Sequence, residues 1–348
     1  MKRSTDAGGI DVSRSRSRGA GVRILAVLTL AVSASISMTA VSVPLASAQT
    51  SCVEQTLAIA ASDATPNFSS LFGVATDADG NNIYAADAGN NTVYRFDADG
   101  NQTLAIVNPT PNPDFSFVSD VATDAAGNIY VVDRSAVAGG IVYRFDAAGT
   151  QNLTITNPAP DPDFTLATSV AADAAGNIYV GDAFGDAIYR FDSTGAQTLV
   201  IENPTPDPDF NQPIGVAVDA TGNIYVADNI GETVYRFDST GAQTLAISPG
   251  DTNPTWTNPN SVATDGAGNI YVTDRSLGVY QFDSAGTQTL FIPVTEATPN
   301  LEDISGVAAD ATGNIYVIDV NVDTLFRFTL TECPAAPPAP PLTVRFTG

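Results

Sequence analysis

Residues 215–247 read GVAVDATGNIYVADNIGETVYRFDSTGAQTLAI, and their pattern decides the fold. Three short alternating runs rich in β-branched and aromatic residues, GVAVD, NIYVAD and TVYRFD, are followed by a weaker one, AQTLAI. Turn residues separate them. In Asp219-Ala220-Thr221-Gly222-Asn223 the glycine can take positive φ where a tight hairpin needs it, and the leading aspartate can accept backbone N–H bonds across the turn. Asp238-Ser239-Thr240-Gly241 repeats that design between the third and fourth runs. The unit is therefore a four-stranded antiparallel meander without a helix.

The unit recurs six times. Asn-Ile-Tyr stands at Asn82, Asn128, Asn177, Asn223, Asn269 and Asn314, at intervals of 45 to 49 residues. One such sheet cannot bury both faces alone, so the units must pack on one another, and radial closure does this while protecting the edges. Fourth strands begin at Gln102, Gln151, Gln197, Gln243 and Gln288, but the sixth unit ends at Phe328 with none after it. An orphan copy, QTLAI from Gln55 to Ile59, precedes the first unit. It is expected to pair with 324–330 and close the ring from the other end of the chain.

These units resemble NHL repeats, whose Asp-x-x-Gly-Asn-Ile-Tyr-Val-x-Asp pattern, short loop and strand ending in Phe-Asp match over about residues 55 to 330. The resemblance implies an all-β fold, a six-bladed β-propeller of four-stranded antiparallel blades with the last blade completed by the N-terminal strand. It says little of function, because such propellers serve as binding scaffolds, sensor domains and some enzymes. Cys52 and Cys333 flank the displaced strand and the end of the sixth unit, where other blades have a hairpin turn. A disulfide between them is expected, with two free buried thiols as the alternative.

Residues 1–48 stand apart, a basic segment and an apolar run from Ile24 to Leu45 ending in Ala46-Ser47-Ala48. They read as a signal peptide, or as a membrane anchor if uncleaved. The propeller is expected over 49–333 and a proline-rich tail over 334–348. Beyond the leader, eight arginines and no lysine face 36 carboxylates, a net charge of −28. That acidity argues against nucleic acid as a partner. The expected location is secreted or cell surface, and the expected state is a monomer.

Histidine is absent throughout and lysine is absent after the leader, which excludes Ser-His-Asp and Cys-His catalysis, histidine-ligated metals and lysine Schiff bases. Two aspartate rings, from Asp77 to Asp310 and from Asp87 to Asp319, recur once per unit and read as turn and loop acceptors. Asp77-Ala78-Asp79-Gly80-Asn81 and Asp97-Ala98-Asp99-Gly100-Asn101 have the opening of a calcium loop but lack a glutamate at the twelfth position. No cofactor is expected, with calcium as the alternative at these loops. Phe68, Phe115, Phe164, Phe210, Trp256 and Leu301, each six residues before a first-strand valine, read as packing between blades, and Arg95, Arg144, Arg190, Arg236 and Arg327 as flank residues paired with nearby aspartates.

Departures from the repeat nominate the site: Arg134, Phe184, Asn229, Arg275 and Asn321 between second and third strands, and Asp120 where other units have Gly or Ser. With catalytic side chains scarce, the expectation is a non-catalytic exported scaffold that binds a protein, peptide or glycan of the cell envelope through its loop face. The alternative is a metal-dependent gluconolactonase-like hydrolase at the axial pocket.

Overall fold

Each repeat folds as its alternation dictates. In the fourth, Pro213–Val218, Ile224–Asp228, Thr233–Phe237 and Gln243–Ile247 form one antiparallel sheet in chain order. Gly222 takes a φ of 83° and donates its N–H to the Asp219 carbonyl (3.0 Å). The Asp219 carboxylate accepts from the N–H of Thr221 and Asn223 and from the Tyr225 hydroxyl (3.0 Å), tying the turn to the strand that follows it. The second strand is buried along its whole length, because neighbouring blades cover both of its faces. The computed structural model describes residues 51–107, 115–134, 139–156, 164–202 and 209–332. Residues 1–48, Cys333, the tail from 334 and the loop residues 135–138 lie outside them.

Six such sheets form a ring. The innermost strands, Leu71–Thr76, Val118–Thr123, Ala167–Ala172, Pro213–Val218, Pro259–Thr264 and Ile304–Ala309, each touch the next, and the last touches the first. Ser305 Oγ donates to the Phe72 carbonyl across that seam (2.8 Å). The sixth sheet has the order expected for closure: Ser51–Ala60 pairs antiparallel with Thr324–Glu332 and supplies its outer strand. Gln55 also does for the sixth blade what Gln102 does for the first. Its side-chain amide brackets the backbone of Thr298 in the crossover (2.7 Å and 3.3 Å), as Gln102 brackets Thr65.

Aromatic residues fill the gaps between blades. Phe68 meets Tyr94 and Phe96 edge-on, at 5.1 and 5.8 Å, in a cluster that includes Tyr316, Ile318 and Leu325 of the sixth blade. Phe115, Phe164, Phe210 and Trp256 repeat this geometry. Each edge-to-face pair adds roughly 0.5–1.5 kcal/mol beyond its buried area.

The strand arginines pair differently from expectation. They meet carbonyls of the next blade, not aspartates. Arg236 donates through Nε to Thr244 and through Nη1 to the Ser284 carbonyl, in the turn between third and fourth strands of the following blade (2.6 Å). Arg95, Arg144, Arg190 and Arg327 do the same to Ala147, Ser193, Ser239 and Ala98. At the equivalent strand position the fifth blade breaks the pattern with Gln281, and the cause lies in the blade beside it. The sixth blade joins its outer strand across the chain ends and has no such turn, so an arginine in the fifth would find no carbonyl. Gln281 instead donates to the Tyr271 hydroxyl. Arg236→Ala is expected to cost about 1 kcal/mol in urea denaturation, whereas Gln281→Arg should bring no gain and a loss if its guanidinium stays buried.

Candidate functional site

The innermost strands are paired on one side only, so their free edges line the axis of the ring. A cavity of about 400 Å³ lies there, walled by all six of these strands. That volume suits a small metabolite. Its ionisable lining residues are Asp120, Arg134 and Arg275.

Asp120 owes its place to a glycine. A β-bulge shifts the innermost strands of the first two blades by one residue, and the residue that follows it is Gly73 in the first and Asp120 in the second. A Cβ on Gly73 would lie 2.5 Å from Asp120 Oδ1 and 2.6 Å from its Cα, so only a bare Cα lets the two strands approach this closely. Asp120 Oδ1 accepts from the N–H of Val121 and Oδ2 from that of Val170 in the next blade, both at 2.9 Å. Two backbone donors occupy about half of the four acceptor sites of a carboxylate. The rest remain for a proton or a ligand.

Desolvation outweighs those two hydrogen bonds and pushes the Asp120 carboxyl up to about 7. The exposed part of the side chain faces the axial cavity, and the surrounding strands desolvate the rest. A raised carboxyl does not by itself mark a site. Burial also lifts Asp228 to about 7, yet Asp228 is fully buried and accepts from the N–H of Asn211 in the crossover loop. The rest of its ring serves likewise: Asp274 takes the N–H groups of Thr257 and Asn258. Asp77 and Asp97, the calcium-like positions, are occupied by the N–H donors of Asn81 and Asn101.

Of the other nominated residues, Arg134, Phe184, Asn229 and Arg275 line the same cavity, while Asn321 is not among its lining residues. Arg134 lies over the Phe117 ring, 5.3 Å from the centroid. Phe184 keeps 59% of its surface exposed. Asn229 donates to the Pro259 carbonyl (3.2 Å). Arg275 forms a two-pronged ion pair with Asp303, both contacts at 2.7 Å. Sequence reasoning missed Ser169, whose hydroxyl is buried in the wall without a partner among the described residues. The signal was there: Gly181, directly opposite in register, makes room for Ser169 Oγ, which a Cβ would approach to 2.5 Å.

The wall suits a divalent metal poorly. It offers a single carboxylate, already committed to two N–H donors, and the described residues contain no cluster of three His, Cys, Asp or Glu side chains able to hold an ion.

Among solved structures the chain is similar to a gluconolactonase from Xanthomonas campestris, with 18% identity, 76% of this chain and 87% of that one covered, and a TM-score of 0.57. A virginiamycin B lyase from Staphylococcus aureus aligns at 14% identity over 81% of this chain and 100% of its own, with a TM-score of 0.55. At these identities the likeness is one of fold. No curated protein matches the chain in sequence. These neighbours correct the expectation of a non-catalytic scaffold for an envelope ligand, since both are enzymes by name. The physical reason lies in the loops. Four of the five nominated loop residues converge on the mouth of one axial cavity instead of spreading over separate parts of the face. The NHL repeat model matches residues 210–231, inside the unit from which the ring was read. With six four-stranded blades closed by its own N-terminal strand, the chain is an NHL-repeat six-bladed β-propeller.

Proposed function

We propose that the chain is a hydrolase of small cyclic esters, gluconolactonase-like in reaction, with Asp120 as the general base in the axial cavity. The observation that carries this is the position of Asp120 as the one carboxylate lining that cavity. In the reaction, Asp120 takes a proton from water as the water oxygen bonds to the ester carbonyl carbon. The acyl C–O bond then breaks, and the alkoxide that leaves takes the proton back from Asp120. Two backbone hydrogen bonds hold the carboxylate in place through both transfers. The N–H of Val216 holds the repeat position of Val121 and Val170 and is a suitable donor to the carbonyl oxygen as charge develops there. The donor set does not fit a metal, so none takes part in these steps.

A lyase reaction of the virginiamycin B type is less well supported. A histidine-to-alanine variant of that enzyme is catalytically inactive, and this chain has no histidine.

The test is hydrolysis of D-glucono-1,5-lactone and other aldonolactones, followed by acid release after chelator treatment. Activity is expected to survive chelation and to rise with pH through about 7, because the base works only when deprotonated. Absence of turnover across the lactones overturns the reading, and loss on chelation removes its metal-free form.

A further inference from the structure

Arg134 and Arg275 occupy the same repeat position, each in an Asp-Arg-Ser segment after a second strand, yet the next blade treats them differently. Four residues before its first-strand valine, the sixth blade has Asp303, which neutralises Arg275. At the equivalent place the third blade has Leu166, which lines the cavity beside Arg134. The five strand arginines Arg95, Arg144, Arg190, Arg236 and Arg327 are committed to carbonyls of the next blade. Arg134 is the one described arginine whose guanidinium has neither a carboxylate nor a carbonyl acceptor among the described residues. Its guanidinium lies over the Phe117 ring. Burial lowers its pKa, with no anion beside it to offset the effect.

A partly desolvated guanidinium without an anion, on the wall of a cavity in a strongly acidic protein, is costly unless a ligand completes it. Its distance from the base is also suitable. Asp120 pairs with Val132, and Arg134 follows two residues later, so the two are separated by about 7 Å of strand rise.

We infer that the substrate is an anionic lactone, a hydroxylated cyclic ester that carries a carboxylate of its own, and that Arg134 binds this carboxylate. The inference rests on the hydrolase reading for the word substrate, but the anion site stands on its own. Arg134 is a binding residue that sets specificity, and Asp120 acts on the ester.

The experiment compares two lactones that differ at one group, D-glucaro-1,4-lactone and D-glucono-1,4-lactone, where a carboxylate replaces a hydroxymethyl group. Calorimetric affinities are measured for the unaltered protein, for Asp120→Asn to exclude turnover, and for Arg134→Gln and Arg134→Lys. The charged lactone is expected to bind at least ~10-fold more tightly in the first two, a gap of one charge-assisted hydrogen bond. Arg134→Gln should abolish the gap by weakening the charged lactone, and Arg134→Lys should retain part of it. Added salt should narrow it. Equal binding of the two lactones, a preference that survives Arg134→Gln, or binding of neither overturns the inference. Tight binding of the charged lactone without turnover would instead sink the hydrolase reading and leave the anion site standing.

Discussion

Asp120→Asn is expected to lower kcat/KM for lactone hydrolysis by at least ~100-fold, the lower end of what a positioned general base contributes. An amide of nearly the same shape cannot take a proton from water at neutral pH. The loss should fall on kcat, since the carboxylate acts on water and not on the body of the substrate. Residual activity should also lose the rise with pH through about 7 that the buried carboxyl imposes. That second readout separates a missing base from a damaged cavity. The amide keeps an acceptor for one of the N–H groups of Val121 and Val170, but its NH2 opposes the other, so some stability is lost with the activity. Matched circular dichroism and a Tm measured at pH 6 tell the two losses apart. Activity within a few-fold of the unaltered protein would remove Asp120 from the reaction.

A companion change tests the same place without touching the carboxylate. Gly73→Ala would put a methyl group against Asp120 Oδ1 and Cα, where backbone must move. Overpacking of this kind costs about 1–3 kcal/mol. Its effect on activity should exceed that of a stability-matched substitution far from the axis, because the strand that shifts carries the base.

The sequence showed the fold because the fold is periodic. A two-residue alternation inside a repeat of about 46 residues leaves few architectures, and the count of outer strands showed where Gln55 must go. The site was legible only as departures from the repeat. Asp120 stood out because its neighbours in that position are Gly or Ser. What its neighbours do to it was hidden, since the strands that line the cavity come from blades up to half the chain away. The arginines show the same limit. Arg134 and Arg275 look alike in sequence, and only the crossover that folds back beside each distinguishes Leu166 from Asp303. Gln281 was visible as an exception but not as a consequence, because its cause is a missing turn in the blade beside it. The wrong functional expectation arose from treating irregular loop residues as an open surface when the radial arrangement gathers most of them around the axis.

Removing the closing strand should have the largest effect on stability. A chain that begins at residue 61 would leave Thr324–Glu332 as an exposed edge, expose the cluster in which Ile59 is buried beside Leu71 and Phe326's neighbour Leu325, and free the crossover at Thr298 from Gln55. Burying a side chain such as Ile59 is worth roughly 1.5–3 kcal/mol, and several such groups go at once. An unpaired edge of nine residues also invites association between chains. The truncated chain is therefore expected to aggregate or to unfold at least 10 °C below the full-length one. The cysteines provide a milder version of the test. Cys52 pairs in register with Thr331, and Cys333 lies just outside the described residues, so a bond between them would fasten the two strands at their ends. Closing so long a loop contributes on the order of 5 kcal/mol on the chain-entropy account. Cys52→Ser should lower the urea midpoint accordingly while keeping the propeller's circular dichroism, and reduction of the unaltered protein should lower it by the same amount. A midpoint unmoved by either treatment would place the strength of the closure in strand pairing alone.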